Sequence, residues 1–329
     1  MSDTVVVGLD VGGTSTRAAA LTLTGERLGT GRAGGGNPTS HGAERAAEEI
    51  AAALRDALAD VAPARVRAGV IGLAGAGRLH ADPAGRAAFD RAWREAGLRC
   101  PYAVHGDALV AYASGTAGPD GTVLIAGTGA IAAGIRGLRL DRVADGHGWL
   151  LGDAGSGFWL GREAVRRLLA DLDRGREPGT LGARLLTELL GSDRVAARPR
   201  DTVDALIQAV TRRPPVELAR LAPLVVSAAV DAEPVAVGLI EEAAGHLADS
   251  VARIRPAGTV EPVVLGGGLL TADTPLAAAV RAEAARRWPD APLGTAGDGA
   301  AAAAWLAARD LPEVTDPAAL HPLLVPPAP

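Results

Sequence analysis

The chain has 329 residues, of which 48% are hydrophobic and 22% charged, with a net charge of −5 and one cysteine. Such a composition is typical of a globular protein with a sizeable core, and it argues against a basic nucleic-acid surface, a bilayer-spanning run and an intrachain disulfide. We therefore expect a cytoplasmic protein with neither nucleic-acid nor membrane partners.

The first predicted strand is the apolar run from Thr4 to Leu9, which leads through Asp10 to Gly12-Gly13. The next stretch, TRAAALTLTGERLGTG, is rich in Thr and small apolar residues, so it predicts a second strand and places the glycines in a hairpin turn. Rossmann and P-loop glycines instead precede a helix. Backbone N–H groups from Gly12 to Thr16 can converge on an anion, with glycine allowing positive φ, and Asp10 can hold Mg²⁺. A purely structural Gly-Gly turn is equally compatible with this motif alone.

All 33 residues in the Lys+Arg total are arginines, so the chain contains no lysine. A Walker A loop and a protein kinase each need a lysine at the nucleotide phosphates, and a Schiff-base enzyme needs one as nucleophile. The composition excludes these three classes.

Two polar residues follow in the first half of the chain. Asn37 ends a glycine-rich loop and offers a donor and an acceptor, which suits a sugar hydroxyl, although Asn before Pro is also a common turn. A helix is predicted from near Ala43, with Thr39 or Ser40 as its cap. Asp107 is predicted at the transition from a short strand to a helix, where it can act as a base toward a hydroxyl that attacks a γ-phosphoryl group, or simply cap the helix.

Two further glycine elements lie in the second half. The stretch TVLIAGTGAIAAGIRG (residues 122–137) repeats the strand, glycine turn and strand, which indicates an internal duplication; two such hairpins facing each other can clamp a triphosphate. The stretch PVVLGGGLL (residues 262–270) is a strand that leads into three glycines and then a helix, and its flat surface can lie under a nucleoside base. Residues 160–255 between them are predicted to be mainly helical.

Together these three glycine elements resemble the actin-like sugar kinase and ATPase superfamily, in which they are called phosphate 1, phosphate 2 and the adenosine motif. The resemblance implies an α/β fold with two actin-like (ribonuclease H-like) domains around a central cleft and a helical insertion in the second domain. We expect an N-terminal domain at residues 1–117 and a C-terminal domain at residues 118–329.

The stretch DGHGWLLGDAGSGFWLGREAVRRLL (residues 145–169) closely resembles the signature of the N-acetylglucosamine kinase branch, which also contains BadF-type ATPases. The branch pattern Gly-x-Gly-x-x-x-Gly-Asp-x-Gly-Ser is matched by Gly146, Gly148, Gly152, Asp153, Gly155 and Ser156. We interpret Phe158 and Trp159 in the same stretch as core residues. The resemblance extends from Val5 to about Ala308, and the sequence looks most similar to bacterial glucosamine kinases.

The resemblance implies an ATP- and Mg²⁺-dependent kinase that phosphorylates the 6-hydroxyl of glucosamine to give glucosamine 6-phosphate, and we expect a homodimer. Asp107 would be the base and Asp10 would position Mg²⁺. The phosphates would be bound by Gly12, Gly13, Thr14, Ser15, Thr16, Thr128 and Gly129, the nucleoside by Gly267 and Gly268, and the sugar by Asn37, Asp107, His147, Gly148 and Asp153. Family members often have Ser or Asn after the second Gly-Thr-Gly, where this chain has Ala130-Ile131, so one contact to sugar or phosphate is in doubt.

The acceptor remains open at this point. An ammonium at carbon 2 favours a nearby carboxylate, and Asp145, Asp153 and Glu163 are candidates. An N-acetylglucosamine kinase would instead need an apolar surface for the acetamido group, and Trp149 could supply one. Glucose is a further alternative acceptor.

Three other functions are weaker interpretations. A BadF-type ATPase activator shares an iron–sulfur cluster between subunits, which needs more thiolates than Cys100 supplies. A sugar-responsive repressor needs a helix-turn-helix ahead of the first strand and a cysteine-rich zinc motif. A non-catalytic sugar binder is supported only by Ala130.

Overall fold

The computed structural model describes residues 4–80 and 82–326. This part of the chain forms an α/β structure with two five-stranded sheets, which confirms the predicted fold class. The first sheet has the order β3-β2-β1-β4-β5. Its strands are β1 (Val5–Val11), β2 (Thr16–Thr22), β3 (Arg27–Ala33), β4 (Val66–Leu73) and β5 (Tyr102–Gly106).

The first three strands pair antiparallel, whereas β1, β4 and β5 run parallel. The β1–β2 pairing runs from Val5 opposite Thr22 to Val11 opposite Thr16, so Gly12 and Gly13 lie in a hairpin turn as predicted. The Gly12 N–H donates to the Ser15 carbonyl over 2.9 Å and closes that turn.

The second sheet has the order β10-β9-β6-β7-β8. Its strands are β6 (Gly121–Ala126), β7 (Ala130–Arg136), β8 (Arg139–Asp145), β9 (Val263–Gly266) and β10 (Leu293–Thr295). The second predicted hairpin is therefore confirmed, because β6 and β7 are neighbours joined at Gly127-Thr128-Gly129.

The helices before β6 are α1 (Pro38–His41), α2 (Ala43–Ala57), α3 (Ala76–His80), α4 (Pro83–Glu95) and α5 (Asp107–Ala113). Those after β8 are α6 (Gly157–Asp173), α7 (Thr180–Leu190), α8 (Pro199–Thr211), α9 (Ala222–Val230), α10 (Pro234–Ala252), α11 (Gly268–Thr271), α12 (Pro275–Arg287), α13 (Gly299–Ala308) and α14 (Pro317–Leu324). Two 3₁₀ helices in the described residues span Pro63–Arg65 and Pro215–Leu221.

The predicted helical stretch at residues 160–255 is confirmed by α6 to α10, whose apolar faces share one core with β6 and β9. Phe158 and Trp159 are buried at the start of α6, as expected for core residues. Among the described residues, no single helix is long and apolar enough to span a membrane; Pro215–Val230 and Pro234–Ala252 reach that length and composition only as a pair bent by 115°.

The predicted cap of the helix near Ala43 is wrong. Thr39 and Ser40 lie inside the short helix α1, and α2 begins after Gly42, which makes no side-chain cap bond. Asn37 takes the capping role instead, because its Oδ1 accepts a hydrogen bond from the Thr39 N–H over 2.8 Å.

The chain divides into two compact units. Of the described residues, unit 1 comprises 4–80, 82–123, 135–141 and 294–326, and unit 2 comprises 124–134 and 142–293. The C-terminal residues 294–326 thus pack with the N-terminal sheet, so α13 and α14 belong to unit 1.

Helix α13 lies directly against β1. A Cβ on Gly8 would lie 2.1 Å from the Ala300 carbonyl oxygen and 2.2 Å from the Ala304 nitrogen, so only glycine permits this approach. All ten residues of α13 are buried, which accounts for the run of alanines. Trp305 near its end donates from Nε1 to the Pro317 carbonyl over 2.8 Å and thereby joins α13 to α14.

His321 of α14 is buried in unit 1. Its Nε2 lies 2.7 Å from the Ala113 carbonyl oxygen, and since a carbonyl only accepts, Nε2 carries the hydrogen. The ring also packs edge-on against Trp305, with centroids 4.8 Å apart. Burial lowers the pKa of His321, although the bond to Ala113 works in the opposite direction.

We predict a pH dependence of stability from this histidine. Because its pKa is lower in the folded than in the unfolded chain, its contribution is complete above pH ~6.5 and is lost as the pH falls below that value. Melting temperatures measured from pH 8 to pH 5 should therefore drop more steeply for the wild-type protein than for His321→Gln, which keeps a donor for Ala113. Equal slopes in the two proteins would contradict this assignment.

Candidate active site

Asp10 lies near the end of β1 and is partly accessible to solvent. Burial raises the pKa of its carboxyl group, Arg17 lowers it, and Asp107 and Asp298 raise it further. The carboxylates of Asp107 and Asp298 therefore lie close enough to Asp10 to act on its charge. Asp10 and Asp107 were predicted as site residues from the sequence, whereas Asp298 was not.

Asp107 is the first residue of α5, directly after β5, which confirms the predicted strand-to-helix transition. Its Oδ1 accepts a hydrogen bond from the Ala108 N–H over 2.9 Å. The side chain is open to solvent on one side, but the surrounding protein removes enough water to raise the pKa of Asp107. A carboxylate that solvent and substrate can reach, with a raised pKa, is a stronger base than an ordinary aspartate.

Asp298 is the N-cap of α13, and sequence analysis gave it no role. Its Oδ1 accepts from the Ala301 N–H over 3.0 Å, and its Oδ2 accepts from Arg27 Nη2 over 2.7 Å. An aspartate between two glycines ahead of an alanine-rich helix is a recognisable N-cap signal. Its proximity to Asp10, by contrast, depends on the packing of α13 on β1.

The Gly12–Thr16 turn is supported from behind by the glycine loop that precedes Asn37. The Gly36 N–H donates to the Gly12 carbonyl over 3.0 Å, and the Thr16 hydroxyl donates to the Gly34 carbonyl over 2.9 Å. A Cβ on Gly35 would lie 2.2 Å from the Gly13 carbonyl oxygen, so the loop packs backbone against backbone. These contacts fix the turn while its other side faces solvent at Gly13 and Thr14.

Asn37 directly precedes Pro38, which lines an open cavity of about 230 Å³ in unit 1. The cavity is lined by Pro38, Thr39, Ala43, Leu79 and Asp82. Because its Oδ1 already caps α1, Asn37 has a structural role in addition to its predicted contact with a sugar hydroxyl.

The second glycine turn is held by the N-terminus of α6. The Gly157 N–H donates to the Gly127 carbonyl over 2.8 Å, and the Phe158 N–H donates to the Thr128 carbonyl over 3.0 Å. These bonds satisfy two amides that every helix N-terminus leaves unpaired, and they fix the turn in unit 2.

The signature loop after β8 is organised by two buried aspartates. Asp145 accepts hydrogen bonds from the Asp153 N–H over 2.7 Å and from the Ala154 N–H over 3.1 Å. Asp153 Oδ1 accepts from the Ala130 N–H over 3.0 Å, which ties the loop to the second glycine turn. Asp145 and Asp153 both have positive φ, 63° and 58°, a strained conformation that Asp tolerates better than most residues. Burial raises the pKa of Asp153.

The outer part of the same loop is exposed. His147 lies on it with its Nδ1 3.9 Å from Asp145 Oδ1, and Gly148 has a φ of 81°. The Trp149 ring packs on Phe158 with centroids 5.7 Å apart and is 38% exposed, while Leu150 and Leu151 are 72% and 80% exposed. Trp149, the apolar wall predicted for an acetamido group, is thus accessible to solvent.

The third glycine element follows β9, as predicted, and leads into α11 and α12. Gly267 has a φ of 82°, and a Cβ there would lie 2.3 Å from the Ala126 carbonyl oxygen. Gly267 is therefore required for the packing of unit 2 itself. Gly268 beside it is exposed, and a Cβ there would meet no atom within 4 Å.

Four glycines have no internal reason to be glycine: Gly13 and Gly268 are predicted ligand contacts, and Gly106 and Gly127 directly precede the predicted contacts Asp107 and Thr128. A Cβ on Gly13, Gly106, Gly127 or Gly268 would meet no atom within 4 Å, and all four lack positive φ. Gly12 lacks it as well, so the first turn does not use the positive φ that glycine allows. Close approach of a bound molecule to the backbone is a physical reason for a glycine at such positions.

These residues fit Mg²⁺ that arrives with a nucleotide. No group of three or more His, Cys, Asp or Glu among the described residues can hold a metal ion by itself. Mg²⁺ in nucleotide sites usually takes one or two carboxylates, with water and phosphate oxygens completing the shell. Asp10 can supply the carboxylate, and the solvent-facing backbone at Gly13 and Thr14 suits phosphate oxygens.

Comparison with known proteins gives three kinds of match. The profile of the BadF/BadG/BcrA/BcrD ATPase family matches residues 7–291. An N-acetyl-D-glucosamine kinase from Dictyostelium discoideum is 30% identical over 184 residues, which are 53% of this chain and 57% of that kinase. The aligned part of the chain therefore spans little more than half of that relative.

Two solved structures are similar over nearly their whole length. A candidate N-acetylglucosamine kinase from Chromobacterium violaceum is 25% identical, with a TM-score of 0.71 over 93% of this chain and 99% of that one. A ROK family glucokinase from Streptomyces griseus, solved with glucose and AMPPNP, is 23% identical, with a TM-score of 0.57 and the same coverage. The second likeness concerns the fold alone.

Proposed function

Because the chain belongs to the BadF/BadG/BcrA/BcrD ATPase family, we propose that it is an ATP-dependent kinase that phosphorylates the 6-hydroxyl of an amino sugar. The observation that carries this proposal is the set of exposed glycine turns together with Asp10 and Asp107. Both carboxylates lie in unit 1, each directly after a strand or close to its end, and Asp107 raises the pKa of Asp10.

Asp107 would act as the general base. Its carboxylate accepts the proton of the attacking sugar hydroxyl while a bond forms between that oxygen and the γ-phosphorus. The bond from the γ-phosphorus to the bridging oxygen breaks, and ADP leaves. The raised pKa of Asp107 strengthens its proton affinity at the moment the hydroxyl becomes acidic.

The other residues would bind and orient. Mg²⁺, when bound, neutralises charge on the transferred group, and Asp10 would hold it. The amides of Gly13, Thr14 and Ser15, and those of Thr128 and Gly129, would donate to phosphate oxygens. Gly12 and Thr16, also predicted as phosphate contacts, would act by fixing the turn, because the Gly12 N–H is bonded to the Ser15 carbonyl and Thr16 is buried. Gly267 and Gly268 would lie against the nucleoside, and Asn37, His147, Gly148 and Asp153 would contact the sugar.

We propose N-acetylglucosamine, rather than glucosamine, as the preferred acceptor. The three carboxylates expected near an ammonium already have partners in unit 2. Asp145 accepts two backbone N–H groups and Asp153 accepts one, while Glu163 pairs with Arg162 and Arg166 at 3.0 Å. The exposed Trp149 offers an apolar surface to an acetamido methyl group instead. The relatives described as N-acetylglucosamine kinases support the same order.

The decisive test is ADP release from Mg²⁺-ATP with N-acetylglucosamine, glucosamine, glucose or no sugar. We expect turnover to depend on sugar and kcat/KM to be highest for N-acetylglucosamine. Highest turnover with glucosamine would reverse the order of acceptors and give glucosamine 6-phosphate as product. Equal ATP hydrolysis with and without sugar would contradict the kinase proposal and favour an ATPase that activates a partner protein.

A location in the cytoplasm and a homodimer remain proposals. Both sugar and ATP would be intracellular metabolites for such a kinase, which supports the location. Sedimentation of the purified protein would test the dimer.

A further inference from the structure

The N-terminus of α13 lies against the carboxylate of Asp10. A Cβ built on Gly299, the first residue of α13, would lie 2.7 Å from Asp10 Oδ2, 2.8 Å from Asp10 Cγ and 3.1 Å from Asp10 Cβ. Real Cβ atoms do not approach other atoms to less than 3.0 Å. The carboxylate therefore occupies space that is available only because residue 299 has no side chain.

The helix cannot retreat to make room. Its backbone touches β1 at Gly8, where a Cβ would lie 2.1 Å from the Ala300 carbonyl oxygen. Asp298 caps its first turn and is bound by Arg27 of β3 over 2.7 Å. The preceding Gly297 N–H donates to Ser114 Oγ over 3.0 Å. A methyl group at residue 299 must therefore move the Asp10 carboxylate rather than the helix.

The backbone conformation of Gly299 gives no other reason for glycine. Its φ is not positive, and it lies in the first turn of a regular helix, where alanine is the better helix former. Local preference alone would place alanine here, as in the five residues that follow it. Glycine at position 299 therefore lowers the stability of the helix but leaves room for the Asp10 carboxylate.

We propose that Gly299 is a positioning residue for the proposed metal carboxylate: it forms the wall against which Asp10 rests, and a side chain there displaces the carboxylate. This inference rests on the proposed function, in which Asp10 holds Mg²⁺. Residues that orient a metal ligand typically affect metal affinity or activity by about 10- to 100-fold when changed. Gly299→Ala should therefore weaken the metal-dependent part of nucleotide binding by about that factor.

The test compares AMPPNP binding with Mg²⁺ and with EDTA by calorimetry, in the full-length wild-type protein, Gly299→Ala and Gly245→Ala. Gly245 is a control because it lies within α10 and a Cβ there meets no atom within 4 Å. We expect Gly299→Ala to lose the strengthening of nucleotide binding by Mg²⁺ and Gly245→Ala to keep it. A wild-type response to Mg²⁺ in Gly299→Ala would overturn the inference.

A melting-temperature cycle tests the same contact without metal or sugar. If the added methyl meets only the Asp10 carboxylate, Gly299→Ala should raise the melting temperature more in an Asp10→Ala background than in the wild-type protein. Equal changes in both backgrounds would overturn the inference, even where Gly299→Ala itself folds poorly. Sugar-dependent ADP release by the wild-type protein, measured in parallel, reports separately on the proposed function.

Discussion

Asp107→Asn should lower kcat by about 10²- to 10⁴-fold, the usual cost of losing a general base. Asparagine has nearly the same shape, and its side-chain oxygen can still accept the bond that Asp107 receives from the Ala108 N–H. It cannot take a proton from the sugar hydroxyl. The substitution thus keeps the hydrogen bond at the start of α5 but removes the proposed proton transfer.

The measurement is a steady-state ADP-release assay, with nucleotide affinity determined separately by calorimetry. The Kd for AMPPNP should stay within a few-fold of wild type, and the melting temperature should not fall. Asp56→Asn, an exposed aspartate of α2, is the matched control and should retain full turnover. Wild-type kcat in Asp107→Asn would remove Asp107 from the mechanism.

Trp305→Ala should have the largest effect on stability, because it removes a large side chain that is only 1% exposed. Replacing a buried Phe or Trp with Ala typically costs about 3–5 kcal/mol of unfolding free energy. The change also leaves the Pro317 carbonyl without the indole donor and removes the ring that packs against His321. The contacts of α14 with α13 should weaken together.

Urea unfolding followed by circular dichroism provides the measurement. Trp149→Ala removes the same side chain from an exposed loop and should cost far less, since that ring is 38% exposed. Trp305→Phe keeps most of the apolar packing and should lie between the two. A cost for Trp305→Ala no greater than that for Trp149→Ala would contradict the packing described for α13 and α14.

Local patterns predicted the strands and turns well, since alternating or continuous apolar runs and Gly-Gly pairs act over a few residues. Both hairpins, the strand before the third glycine run and the helix beginning at Asp107 follow from such patterns. The predicted cap near Ala43 was wrong because two helices, α1 and α2, begin close together there. Asn37 caps the first of them by accepting the Thr39 N–H, so Thr39 lies inside α1. The proline-rich stretch HPLLVPPAP (residues 321–329) predicts an irregular tail. That prediction is wrong as far as Leu324, because this segment folds as part of α14 against Trp305.

The roles of the candidate site residues, the domain boundary at residues 117 and 118, and the homodimer stay predictions. The structure adds partners that bear on these roles. Asp153 is tied to Ala130, and Asn37 caps a helix, so each of these side chains has a structural contact as well as its proposed ligand contact.

The sequence by itself determined the three glycine elements and the places of Asp10 and Asp107 at strand ends, because each depends on residue types within one short segment. The fold class followed from the family resemblance that these elements carry together. Only the tertiary structure decided that Asp298 and Gly299 adjoin Asp10, and that His321 binds the Ala113 carbonyl across 208 residues of chain. Contacts between distant segments depend on how whole elements pack, here α13 on β1 with backbone against backbone at Gly8. No local pattern encodes that approach, because the residues that permit it are separated by nearly the full length of the chain.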